Sequence, residues 1–100
     1  MSVIDTKTLR EQLDKVVSLR SISSSNPALD TSNKSIIEYL ASQFEELGFV
    51  CEIIPSDTTG NKFNLIASMG SGPGGLVLAG HTDTVPLNEE LWTVDPFHTT

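Results

Sequence analysis

The chain has 100 residues, 38% of them hydrophobic and 19% charged, the make-up of a folded segment and not of a disordered one. Its net charge of −7 and the scatter of Lys7, Arg10, Lys15, Arg20, Lys34 and Lys62 exclude the clustered basic surface that nucleic acid requires. No stretch approaches the roughly 18 unbroken apolar residues that cross a bilayer, and Cys51, the single cysteine, rules out an intrachain disulfide or a cysteine metal cluster.

A lone cysteine suits a reducing, cytoplasmic setting. Met1, Ser2, Val3, Ile4 and Asp5 offer neither the basic start nor the apolar run of a signal sequence, so no secretion is expected. Residues 6–19 predict a helix, with Leu9, Leu13, Val16 and Val17 on one face. Asp5 or Thr6 can cap it, or Thr8 with Glu11 as a capping box. SISSSNP at residues 21–27 reads as a loop.

A second helix is expected to begin near Thr31 or Ser32. Ile36, Ile37, Leu40, Phe44 and Leu47 form its stripe, and Gly48 stands where a helix end wants a left-handed residue. Residues 49–54 predict a strand stopped by Pro55, residues 56–61 a turn, and residues 63–69 a second strand. After the glycine-rich residues 70–75, the apolar Leu76, Val77, Leu78 and Ala79 predict a third strand covered on both faces. Helix, helix, strand, strand, strand predicts a layered α/β domain. A strand so covered needs more neighbours than these elements supply, so the chain is expected to be part of something longer.

Gly70, Gly72 and Gly75 satisfy G-x-G-x-x-G. A dinucleotide site needs a helix opening directly after the glycines, to bring its N-terminus to the pyrophosphate. Here Pro73 interrupts the run and an apolar strand pattern follows, so a connecting loop is expected. His81 and Asp83 lie just past that pattern, where α/β sheets place their ligands. In extended backbone, side chains two apart point the same way. Asp83 can then orient the His81 imidazole and select the nitrogen left free for a metal. Alone, His-x-Asp is a weak signal.

The longer string LVLAGHTDTVP at residues 76–86, with Trp92, Asp95, Pro96 and Phe97 after it, is specific. It resembles the acetylornithine deacetylase and succinyl-diaminopimelate desuccinylase family of zinc aminoacylases and carboxypeptidases. Asn61, Lys62, Phe63, Asn64 and Leu65, closing on Ala67, and WTVDPF at residues 92–97 are similar to its acetylornithine-cleaving branch. The resemblance runs over nearly the whole chain.

It implies that residues 1–100 are the N-terminal part of a zinc-peptidase-like catalytic domain, two helices followed by three strands of a mixed sheet. The rest of that domain and a lid used for dimerisation lie outside the chain. It also implies that His81 is the first zinc ligand and Asp83 the catalytic-site carboxylate behind it. A full site in this family holds two zinc ions, with cobalt as a possible substitute. The bridging aspartate, the glutamate base and the other ligands are expected beyond Thr100.

The activity implied is hydrolysis of N2-acetyl-L-ornithine to L-ornithine and acetate, in arginine biosynthesis. Metal-activated water attacks the amide carbonyl and a glutamate carries the proton to the leaving amine. A cytoplasmic homodimer is implied, acting on a small N-acyl amino acid, with neither nucleic acid nor membrane as partner. Succinyl-diaminopimelate desuccinylase or a dipeptidase of the family are the alternatives, and outside catalysis a structural or binding module of the same fold. Catalytic zinc takes about three protein ligands, so this chain alone is expected to show no deacetylase activity and no tight zinc site. His98, Ser23, Ser24, Ser25, Glu89 and Glu90 read as loop surface, and Trp92 and Phe97 as side chains that pin the loop or line an entrance.

Overall fold

Asp5 starts the first helix. Its carboxylate accepts from the Lys7 N–H at 3.2 Å and the Thr8 hydroxyl at 2.6 Å, which satisfies donors left free at a helix start. The computed structural model describes residues 4–99; Met1, Ser2 and Val3, part of the segment read above for a signal sequence, and Thr100 lie outside them. Helix α1 spans Thr6–Ser18. Its stripe forms as predicted but stays open: Leu9, Leu13 and Val17 remain exposed, and no residue of α1 is buried.

Helix α2, Lys34–Glu46, starts later than expected. Thr31 and Ser32 are occupied elsewhere. The Thr31 hydroxyl accepts the Ile22 N–H at 2.7 Å, while Ser32 donates to the Asn61 carbonyl and accepts from the Lys34 N–H. Asn33 takes the cap position with its side chain committed to Phe63, donating to its carbonyl at 2.9 Å and accepting its N–H at 2.8 Å. Ile36, Ile37 and Ala41 bury the inner face of α2.

Gly48, at φ 95°, closes α2 as the sequence predicts. The Phe49 N–H reaches the Phe44 carbonyl and the Gly48 N–H the Glu45 carbonyl, both at 3.0 Å. This is the Schellman arrangement with its apolar partner contact, here Phe44 against Phe49 edge to face with ring centres 5.1 Å apart.

Strands β1 (Val50–Pro55) and β2 (Phe63–Ser68) form an antiparallel hairpin, registered from Val50 opposite Ser68 to Pro55 opposite Phe63. Pro55 belongs to the strand. Phe63 turns its N–H and carbonyl away from β1 toward Asn33, so the N–H that proline lacks is not needed there. Phe63, Leu65 and Ala67 alternate inward toward α2, and the Cys51 thiol lies 3.6 Å from the Ala41 carbonyl. Partial burial there pushes that thiol above its ordinary value. The fold is a small α/β unit of two helices and a two-stranded sheet.

The predicted third strand does not form. Leu76, Val77 and Leu78 are 84%, 89% and 86% exposed, and no strand among the described residues lies beside them. Apolar strand character marks a segment that can be buried; it does not supply the neighbour. The predicted mixed sheet is therefore antiparallel, and the one parallel pairing is an isolated bridge between Ile22 and Thr84.

Candidate functional site

That bridge places the site. The Ser23 N–H donates to the Thr84 carbonyl at 2.9 Å, and the Thr84 N–H to the Ser21 carbonyl at 3.0 Å. Buried Ser21 also donates its hydroxyl to the Thr82 carbonyl at 2.6 Å. Ile22 is buried beside it, and its carbonyl accepts from the Thr31 N–H and the Lys62 ammonium. Lys62 donates as well to the Thr31 carbonyl and to Asp30, at 2.7 and 3.0 Å. The Ser24 N–H, and after it the ammonium of Lys62, hold the Asp30 carboxyl below its ordinary value. Residues 21 and 22, read from sequence as the start of a loop, are thus the buried anchor of the segment that carries His81.

From this anchor His81 and Asp83 project together. His81 Nδ1 lies 3.0 Å from Asp83 Oδ1 and 3.2 Å from the Asp83 carbonyl. With Nδ1 engaged, the lone pair of neutral His81 falls on Nε2. Both side chains are open, at 81% and 61% exposure. They border a cleft of about 480 Å³, lined also by Val16, Leu19, Trp92 and Phe97.

Residues 87–99, which supply part of that lining, form a strap fastened to Asp14 of α1 and to Arg20 just after it. Asn88 caps a short 3-10 helix, Glu89–Leu91, by accepting from the Glu90 N–H. Arg20 pairs with Glu89 at 2.8 Å and stacks its guanidinium over the Phe97 ring, 3.8 Å from the centroid. At the far end Asp14 accepts from the Thr99 N–H at 2.8 Å and its hydroxyl at 3.0 Å, with His98 Nδ1 also 2.8 Å away. The Thr99 N–H, more than His98, holds the Asp14 carboxyl below its ordinary value. Glu89 and His98, read as loop surface, are exposed and also pair with Arg20 and Asp14. Trp92 and Phe97 both line the cleft, and Phe97 also pins the strap.

The glycines of residues 70–75 bind no helix. Gly70, Gly72, Gly74 and Gly75 take positive φ, and residues 74–83 form neither helix nor strand. Sequence reading missed Ser21, Arg20 and Asp14 as supports of the site. The one signal available for Ser21 was its place beside an isoleucine at the end of an apolar helix pattern. Arg20 and Asp14 carried none, because their partners lie 69 and 85 residues away.

No family model matches the chain. Curated relatives do match. It is 51% identical over 87 residues to an acetylornithine deacetylase of Photorhabdus laumondii subsp. laumondii, and 54% identical over 82 residues to that of Klebsiella pneumoniae (strain 342). To that of Shigella sonnei (strain Ss046) it is 52% identical over 82 residues. Over most of its length the chain is similar to proteins named acetylornithine deacetylase. It spans only 21–23% of the length of these relatives, while they match 82–87% of it.

Proposed function

We infer that this chain is a section of a longer, metal-dependent amide hydrolase that removes the acetyl group from N2-acetyl-L-ornithine. The observation that carries the reading is identity of 51–54% over more than four fifths of the chain to proteins named acetylornithine deacetylase. In this reading His81 offers Nε2 to a metal, and Asp83, at Nδ1, orients the ring and raises its basicity. The proposed metal is zinc, with cobalt as the substitute. The proposed setting is a cytoplasmic homodimer in arginine biosynthesis; no helix among the described residues is long and apolar enough to cross a membrane.

Donor chemistry limits what this chain does by itself. A catalytic zinc takes about three protein ligands, and no group of three His, Cys, Asp or Glu side chains among the described residues is placed to hold a metal. These residues begin a metal site and do not fit a whole one, so no reaction step is derived through zinc.

The test is a substrate comparison on the longer protein that carries this sequence, loaded with zinc or cobalt. Release of acetate from N2-acetyl-L-ornithine, lost in His81→Ala, is the expected result. Cleavage of succinyl-diaminopimelate or a dipeptide with acetylornithine inert would replace the substrate. No hydrolysis of any of the three would leave a structural or binding module.

A further inference from the structure

Ser21 is the one buried polar residue among the described residues, at 2% exposure. It faces the segment that carries His81 with two groups. Its hydroxyl donates to the Thr82 carbonyl at 2.6 Å, and its own carbonyl accepts from the Thr84 N–H at 3.0 Å. The Thr82 carbonyl belongs to the peptide plane before Asp83, and the Thr84 N–H to the plane after it. Peptide units are rigid, so a bond to each plane restricts the φ and ψ of the residue between them. One side chain and one carbonyl, 61 residues away in sequence, thereby set the direction in which Asp83 leaves the backbone.

The other backbone contact here, from the Ser23 N–H to the Thr84 carbonyl at 2.9 Å, lies one peptide plane further from Asp83. Its carboxylate and His81 are largely exposed, and the preceding residues 76–80 have no strand neighbour. Burial does not hold the two side chains 3.0 Å apart; their own contact and the backbone beneath them do. We propose that Ser21 is a positioning residue, whose buried hydroxyl fixes the backbone at Asp83 and so holds the carboxylate against His81 Nδ1.

The consequence for metal binding rests on the role proposed for His81 above, but the geometry does not, and the test reads the geometry alone. With Nδ1–H held by Asp83, neutral His81 should carry its proton on Nδ1. A free imidazole prefers the proton on Nε2. Nitrogen-15 spectra of the histidine rings, at about pH 8.5 where histidine is ordinarily neutral, distinguish the two tautomers. The chain has only two histidines, so His98→Gln assigns them.

Ser21→Ala and the near-isosteric Ser21→Cys, a weak donor, are expected to shift His81 from the Nδ1–H toward the Nε2–H form. Ser21→Thr, which keeps the hydroxyl, should retain the Nδ1–H form. Protection of the Phe49 amide against exchange reports whether the remote helix end is intact in each variant. A folded Ser21→Ala or Ser21→Cys chain with an unchanged tautomer would overturn the proposal. So would loss of Phe49 protection in both, which would make Ser21 a support of the whole fold. These outcomes are independent of which substrate the longer protein cleaves.

Discussion

Between Lys34 and Ser68 the chain closes on itself through apolar side chains, while residues 70–99 are held by polar atoms at a few points. In the first region Ile36, Ile37 and Ala41 are buried against a hairpin whose second strand alternates half-buried and exposed residues. In the second, every described residue other than 82, 87, 96, 97 and 99 is exposed, and the contacts that locate the segment come from Ser21, Ser23, Arg20 and Asp14. The region with the more specific sequence motif is thus the one with the less self-sufficient structure. Chemistry-bearing residues have to meet solvent and ligand, so their placement falls to directional bonds from a body that packs without them.

The largest test of this contrast lies in the body. Ile36 is 2% exposed, and Ile36→Ala removes about three carbons from a closed site, a change that costs about 2–5 kcal/mol. The urea midpoint of helix α2, read by far-UV circular dichroism, should fall steeply or the helix should be unfolded without denaturant. A cost near zero would mean that the hairpin and helix are not held by this core.

How much was readable in advance follows the same division. Helix α2, its Gly48 stop and the hairpin arise from local patterns: a stripe at helical spacing, a left-handed position, alternation broken by a turn. Those patterns act over a few residues, and the sequence displays them directly. The start of α2 was misplaced because Thr31 and Ser32, good caps by type, are used for contacts with Ile22 and Asn61. The third strand was misjudged because residues 76–79 state an affinity for burial, not the presence of a partner. His81 and Asp83 stand in one contiguous motif, and the structure brings their side chains to 3.0 Å of each other. Ser21, Arg20 and Asp14 were not legible, since their meaning depends on partners 61 to 85 residues distant.

The strap gives a test of intermediate size. Asp14 is held below its ordinary carboxylate value of 3.8, chiefly by the Thr99 N–H. A depressed value in the folded state means that the contact stabilises the strap above that ordinary value and is lost as pH falls through the lower folded value. Trp92, the single tryptophan, lies in the strap and reports on it. Acrylamide quenching of Trp92 is expected to rise below about pH 4, while Asp14→Asn, which cannot ionise, should remove that acid step. Asp30, Asp5 and Asp57 are also depressed, chiefly by the Ser24 N–H, the Thr8 hydroxyl and the Thr59 hydroxyl respectively. An acid step that persists in Asp14→Asn would therefore assign the transition to those groups and leave the strap without its fastener.

The smallest expected effect is the one that most sharply separates the regions. Leu78 is as hydrophobic as Ile36 and sits in the most apolar run of the chain, yet it is 86% exposed. Hydrophobic stabilisation scales with area removed from water, not with side-chain type. Leu78→Ser should then change stability by no more than about 0.5 kcal/mol, within the error of a urea melt that resolves Ile36→Ala easily. The substitution also removes apolar surface available for association between chains, so sedimentation at increasing concentration should show less self-association, if any is present. A loss of stability on the scale of Ile36→Ala would mean that Leu78 is buried in the folded chain. The segment before His81 would then belong to the packed body, and the contrast between the two regions would fail at the point nearest the site.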